Sequence, residues 1–390
     1  MSVRPITPGS NAERSRVYNR GLVLEHIRQE GVAGRAEIAR ASGLSTQAVS
    51  NIIAELVKDG WVYEAGRRAG QRGLPAVTYA IQGKAAIAFG VEIRPGALLG
   101  ALIDLEGRLL FSDRRAVTDA APGTILPLAK DMLDRALDQA GKGRGSLMGA
   151  GAVMPGPFGQ TGLSGQATDL PGWDAVDPVQ ALSEALDVPV TVENDANAAA
   201  MAERVSGVAQ GLSTYAYLYF GTGLGLGVVV DGEIYRGAFG NAGEIGHIPV
   251  PTPQGAAALE DVASRIALGR ILAQGGRPGD TVEDLARAHQ DRDPIYQDWL
   301  DQARPALGHA VHVIENLFDP ESIVLGGAMP APILAELAET LPLPQSSIAH
   351  RADRMIPRVL PGTAGRMTAT IGAAALVVNT HLSPRLSLGA

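Results

Sequence analysis

The sequence contains no cysteine. That absence excludes a disulfide framework, a thiol nucleophile and a cysteine-ligated zinc site. No apolar run approaches the ~18–20 residues needed to cross a bilayer, so no membrane partner is expected. The opening residues, MSVRPITPGSNAERSR, lack the apolar core of a signal peptide, and the expected location is the cytoplasm. What is present is ordinary globular composition, 46% hydrophobic and 19% charged. Disorder, collagen and coiled coil are excluded on that composition. At 390 residues the chain has room for two or three domains.

The net charge of −8 is unevenly spread. Residues 1–84 hold 12 basic and 7 acidic side chains, net +5, which leaves −13 for the rest. A small basic module on a large acidic body is the charge pattern of a DNA reader joined to a sensor or enzyme. Within the module, Val23, Leu24 and Ile27 share one face of a helix over 17–30. Arg35–Ser42 fits a short helix with Ile38 and Ala39 inward. Gly43 supplies a turn, and Ser45 is a good N-cap for the next helix. There Val49, Ile52, Ile53 and Leu56 fall at i, i+3, i+4 and i+7, a core-facing stripe. Ala39, Gly43 and Val49 together give the spacing of a helix-turn-helix. Ser45, Thr46, Gln47, Ser50 and Asn51 then lie where a recognition helix offers side chains to base edges. Strands at 61–65 and 76–81 flank a glycine-rich loop holding Arg67, Arg68 and Arg72, the chemistry of a wing that touches phosphate. The plainer reading is an αα-hairpin packed on its own chain. The wing and the local charge favour double-stranded DNA.

From about residue 85, strands alternate with helices. Residues 86–93, 96–107 and 108–117 read as antiparallel strands with a turn at Glu106-Gly107. A helix over 122–140, a strand at 149–156, a helix over 178–186, a strand at 188–194 and a helix from Asp195 follow. The theme restarts with strands at 214–221 and 225–235, helices near 258–274 and 296–317, and a strand at 321–327. A ββ(β)αβα order occurring twice predicts two similar α/β lobes with a ligand cleft between them. The runs near 71–75 and 251–258 read as a linker and a surface loop.

Three strings in this body carry chemistry. Gly221-Thr222-Gly223-Leu224-Gly225 lies between two strands, where bare backbone can approach a phosphate or sugar, or where a tight hairpin needs positive φ. Glu193-Asn194-Asp195 ends a strand at the sheet edge where α/β folds bind ligands. There Asp195 either orients a hydroxyl or simply caps the next helix. Glu244 and His247, three apart among glycines, can turn toward one small polar ligand.

Taken together, VENDANAAAMAE, GTGLGLGVVVDGEIYRGAFGNAGEIGH, IVLGG and TATIGAAALV resemble the ROK family of repressors, open reading frames and sugar kinases. The winged helix in front is similar to the regulator branch, which includes repressors of xylose and N-acetylglucosamine genes. The resemblance implies an N-terminal winged helix-turn-helix, mainly α, plus an α/β two-lobed body of the actin-like, sugar-kinase ATPase fold. The boundaries it implies are 1–84 for the reader, 85–198 for lobe 1 and 199–370 for lobe 2. A last helix over about 371–390 would return to lobe 1. By position, Asn194, Asp195, Glu244, His247 and Glu260 match the family's sugar contacts, and Asp195 also matches the kinases' catalytic base. Asp169 stands where the family often has a sugar-contacting Asn.

The departures from the family decide the expected activity. The cysteines that hold zinc in ROK kinases are missing, so no metal and no resident cofactor are expected. The kinase's first phosphate loop, Asp-x-Gly-Gly-Thr, reads Glu92-Ile93-Arg94-Pro95-Gly96 here, and Pro95 has no N–H to offer a phosphate. The expectation is a non-enzyme: a repressor of carbohydrate-metabolism genes that binds operator DNA and a small sugar or sugar derivative. Two-fold operators imply a homodimer or homotetramer. The alternative is a sugar kinase that also binds DNA, with ATP and Mg²⁺ on Gly221, Thr222, Gly223 and Gly225.

Overall fold

The computed structural model describes residues 12–68, 75–156 and 170–383. The first elements are α1 (Ala12–Glu30), β1 (Ala33–Gly34), α2 (Arg35–Ser42), α3 (Thr46–Lys58), β2 (Val62–Arg68) and β3 (Ala76–Ile81). Helix α3 starts where its sequence says it should. The Ser45 backbone is extended, and its hydroxyl accepts from the Ala48 N–H at 3.1 Å. Gly43 ends α2 with φ 70°, a left-handed conformation that a Cβ disfavours. Val49, Ile53 and Leu56 are buried against Val23, Leu24, Ile27 and Ile38, with Ile52 partly covered. Each of these side chains contributes about 1.5–3 kcal/mol. Strands β2 and β3 pair antiparallel, and β1 lies on the far side of β3.

The body begins with β4 (Ile87–Arg94), β5 (Ala97–Asp104), β6 (Leu109–Ala116), α4 (Pro122–Ala140), β7 (Leu147–Val153), α5 (Pro178–Leu186), β8 (Val190–Glu193) and α6 (Asp195–Ser206). It continues with β9 (Tyr215–Phe220), β10 (Leu224–Val230), β11 (Glu233–Ile234), β12 (Pro249–Thr252), β13 (Gly255–Ala258), α7 (Leu259–Ala263) and α8 (Arg265–Gln274). Last come α9 (Val282–Gln290), α10 (Pro294–Phe318), β14 (Ile323–Gly327), α11 (Ala331–Thr340), β15 (Val359–Pro361) and α12 (Thr368–Leu382).

The internal duplication is visible in the sheets. One has the order β6-β5-β4-β7-β8 and the other β11-β10-β9-β14-β15. In each, three antiparallel strands continue into two parallel ones. Helices α4 and α5 cover the outer face of the first sheet, through Met132, Leu133 and Leu182. Between the lobes lie two helices: α12 packs on β4, β5 and β7, α6 packs on β9 and β10, and the two pack on each other. That packing is very close. A Cβ on Gly372 of α12 would sit 1.8 Å from the Ala198 carbonyl oxygen of α6, so only glycine fits.

Several expectations need correction. Arg67 and Arg68 lie in β2, in register with Val77 and Ala76, and not in the loop beyond it. The run near 71–75, expected as a linker, lies outside the described residues except for Pro75. The 225–235 strand breaks at Asp231-Gly232, whose φ values of 52° and 77° turn the chain back. The 258–274 helix breaks at Ser264, which caps α8 by accepting from the Ala267 N–H at 3.0 Å. Residues 251–258 fall in the β12–β13 hairpin and are no irregular loop. The last helix starts at Thr368, three residues before the expected position. Helices α9 and α11 and strand β15 were not foreseen.

Candidate functional site

On α3 the side chains of Ser45, Thr46, Gln47 and Asn51 are exposed, and Ser50 is half-buried. The Gln47 amide donates to Asn51 Oδ1 at 3.0 Å, so these two present one joint polar surface. Arg67 is exposed on β2. Arg68 pairs with Glu37 of α2 at 3.0 Å, which ties the wing to the preceding helix. Arg72 lies outside the described residues.

The reader is not a loose appendage. Its apolar core continues through Tyr79 and Ile81 into Ala86 and on to α6 and α12. A polar junction, invisible to pattern reading, sits beside that core. Glu25 of α1 is 8% exposed and accepts from Arg28 of its own helix and from Arg204 of α6, each at 2.8 Å. Ser383 donates to it at 3.3 Å, and Arg204 Nε donates to Asn379 of α12 at 3.3 Å. Arg28 in turn donates to the Arg204 carbonyl at 3.0 Å. Burial alone would raise the Glu25 pKa, but the two arginines together hold it below the usual carboxylate range.

The cleft lies between the two sheets, in a cavity of ≈ 360 Å³, at the small end of the range of about 300–1,000 Å³ usual for ligand sites. Two topologically equivalent hairpins wall it, β4–β5 at Glu92–Pro95 and β9–β10 at Gly221–Gly225. It gathers Asn194, Asp195, Glu244, His247 and Glu260 in one place, together with Glu92, Arg94 and Pro95. Gly96 does not line it. Asp169 lies outside the described residues.

Asn194 and Asp195 divide the work at the start of α6. Asn194 is the cap: its Oδ1 accepts from the Asn197 N–H at 2.8 Å. Asp195, one residue on, keeps a carboxylate on the cavity wall, with Oδ1 accepting from the Ala196 N–H at 2.9 Å. Burial and then the Glu92 charge push its pKa up to about 6. A carboxylate that changes charge near neutral pH can accept from a ligand hydroxyl or take up its proton. The strand before it is fixed by buried Glu193, which accepts from Asn197 at 3.0 Å and from Arg236 at 2.7 Å.

On the opposite wall His247 stands between two carboxylates, 3.8 Å from Glu244 and 3.7 Å from Glu260. Those separations exceed hydrogen-bond length, so all three retain capacity for a ligand rich in hydroxyls. The glycines opposite have a packing reason. Gly225 and Gly227 have no positive φ. A Cβ on either would press on Ala196 of α6, at 2.9 and 2.5 Å. A side chain on Gly223 would strike Glu260. The β4–β5 hairpin instead carries a side chain inward. Arg94 donates to Glu92 at 2.6 Å, and Thr370 Oγ1 donates to the other oxygen of Glu92 at 2.5 Å. Tyr219 and Arg265 also line the cavity and were missed, since neither belongs to a recognisable string. Among the described residues no group of three or more His, Asp or Glu side chains could hold a metal ion, and no helix is long and apolar enough to cross a membrane.

Comparison with known proteins extends the picture along the whole chain. Residues 18–63 match the winged helix-turn-helix DNA-binding model. The xylose repressor of Bacillus subtilis is 26% identical, over 93% of this chain and 96% of its own length. A solved ROK-family transcriptional regulator, a homologue of the E. coli MLC protein, superposes with TM-score 0.69 at 25% identity, covering 95% of this chain and 97% of that one. The ROK hexokinase of Thermus thermophilus gives TM-score 0.58 at 28% identity, covering 74% of this chain and 97% of its own. The ROK family model itself matches residues 88–380, most of the chain and both five-stranded sheets, so the chain belongs to the ROK family.

Proposed function

We propose that this protein is a DNA-binding transcriptional repressor whose hold on its operator responds to a sugar or sugar derivative in the cleft. The observation that carries the reading is the placement of α6. Its first residues, Asn194 and Asp195, form the wall of the cleft, and Arg204 near its last turn grips Glu25 of the reader. A ligand that moves one end of a rigid helix is felt at the other. Because the coupling is thermodynamic, ligand and operator change each other's affinity by the same factor.

On this reading residues 1–84 read DNA through Ser45, Thr46, Gln47, Ser50 and Asn51, with Arg67, Arg68 and Arg72 on phosphate. Residues 85–198 and 199–370 form the two lobes, and the helix near the chain's end returns to the first. Asn194, Asp195, Glu244, His247 and Glu260 hold the sugar, with Asp169 near them. The protein works in the cytoplasm, as a homodimer or homotetramer that matches a two-fold operator.

The kinase alternative has one observation in its favour, the pKa of about 6 at Asp195, suitable for a general base. Against it, Pro95 offers no N–H, and Arg94 holds Glu92 where the kinases keep two glycines. Fluorescence anisotropy of the full chain with DNA upstream of its own gene tests the repressor reading. Operator binding that shifts with at least one sugar is the expected result. No binding with or without a sugar panel refutes it, and sugar-dependent ATP turnover establishes the kinase instead.

A further inference from the structure

The two walls of the cleft hang from different sheets, and an ion pair fastens one to the other. Glu193 is the last residue of β8 in the first sheet, and Arg236 follows β11 in the second. Arg236 Nε donates to Glu193 Oε2 at 2.7 Å. The partners differ in exposure: the Glu193 side chain is 3% exposed and that of Arg236 45%. A pair of fully exposed charges contributes little, but here separation would strand a buried carboxylate. The pair therefore resists displacement of the two sheets at this point.

Each partner is tied to one wall. The other oxygen of Glu193, Oε1, accepts from the backbone N–H of Asn194 at 3.1 Å and from the Asn197 side chain at 3.0 Å. One carboxylate thus sets the corner from which Asn194 and Asp195 line the cavity. Arg236 opens the segment that carries the second wall. Its carbonyl accepts from the Ala242 N–H at 3.1 Å. The Gly243 carbonyl accepts from Leu226 of β10 at 2.9 Å and from Ile245 at 2.7 Å. These bonds close residues 236–243 into a loop pinned to β10, and Glu244 and His247 follow it directly. Both are half-exposed, so their place depends on the loop more than on packing. Neither Glu193 nor Arg236 is among the described residues that line the cavity.

We infer that Glu193 and Arg236 are positioning residues of the effector site: their ion pair sets the separation between the Asn194–Asp195 wall and the Glu244–His247 wall, so that one small ligand meets both. This rests on the sugar-sensor reading and adds how the site is held to size. Hydrogen bonds to a ligand weaken steeply once the atoms part beyond about 3.2 Å, so a small drift between the walls forfeits one set of contacts.

The test is calorimetric titration of the full-length protein with glucose, xylose and N-acetylglucosamine as separate probes, beside urea unfolding of the same samples. The variants are Arg236→Met, Glu193→Gln and the two combined. Each single variant is expected to weaken the probe that the parent binds by about tenfold or more, the worth of one charge-assisted contact. Arg236→Met also strands Glu193 and is expected to unfold at lower urea. The double variant no longer holds a stranded charge, so its unfolding midpoint is expected to recover in part. Its ligand affinity is expected to stay as weak as that of the single variants, because the pair acts as a unit. Affinity that recovers together with stability shows a merely structural pair and overturns the inference. Parent-like affinity in folded Arg236→Met or Glu193→Gln overturns it as well, and in both cases the sensor reading stands. A parent that binds none of the three probes removes the sensor reading, and the inference with it.

Discussion

The two ends of α6 are built on opposite plans. At the cleft end, Asp195 holds a carboxylate in a cavity with few partners, and its charge is destabilised there. At the junction end, Arg204 is 3% exposed and every direction of its guanidinium is used, by Glu25, Asn379 and the Leu212 carbonyl. One end is left unsatisfied and open to a ligand. The other is saturated and closed to water. The contrast separates binding from transmission. A site that is to respond needs unspent hydrogen-bonding capacity, and a joint that is to transmit needs none.

The sharpest way to break the contrast is at the saturated end. Arg204→Met leaves Glu25 buried with Arg28 as its remaining cation, and removing one partner of a buried pair typically costs about 3–5 kcal/mol. Urea unfolding should show that loss, and the double variant Glu25→Gln/Arg204→Met should recover part of it. In the same double variant, operator binding should persist while its dependence on ligand fades.

At the open end the largest effect is on the ligand. A ligand at ~100 times its Kd stabilises by about 2.7 kcal/mol, and Asp195→Asn should abolish that increment in a thermal-shift assay. The same variant should remove a pH dependence. The folded-state pKa of Asp195 is raised, from 3.8 to about 6, so the folded chain binds the proton more tightly than the unfolded one. Stability from this group is therefore greatest at low pH, falls as pH rises between about 4 and 6, and is flat above. Asp195→Asn should lose that slope and gain about 1–3 kcal/mol over the parent above pH 6. A parent protein whose stability rises over that window relative to the variant contradicts the placement of the carboxylate.

Smaller effects sharpen the comparison. Asn51→Ala should reduce discrimination between operator and altered sites by about 1–3 kcal/mol at the affected base pair, measured by competition binding. Folding should barely change, since the residue is exposed. Asn194→Ala removes the α6 cap and should cost about 1 kcal/mol in chemical unfolding. If it costs nothing, another group must satisfy the Asn197 N–H.

Much of the fold was legible because it is written in local periodicity. The stripe Val49, Ile53 and Leu56, the cap at Ser45 and the strand patterns of both lobes depend on neighbours a few residues away. The doubled strand order foretold the two matching sheets. The cleft residues were legible only as strings, and strings do not say which residue does which task. That Asn194 caps the helix while Asp195 faces the cavity needed coordinates. The reasons for Gly225 and Gly227 lay in α6, almost thirty residues back, so a hairpin with positive φ was the wrong alternative. Arg67 and Arg68 looked like loop residues because glycines and charges usually mark loops, yet their backbones continue a ladder. The Glu25 junction was out of reach altogether. A glutamate on a charged helix reads as solvated, and its partners are 179 and 358 residues away. Arg265 was missed because it belongs to no recognisable string.

That junction also constrains how the molecule comes into being. A ribosome delivers α1 first, but the groups that receive Glu25 come from α6 and, last of all, from Ser383, with Asn379 of α12 holding Arg204. During synthesis the reader has its own small core and nowhere to dock. The joint that ties the reader to the body is therefore complete only once α12 has emerged.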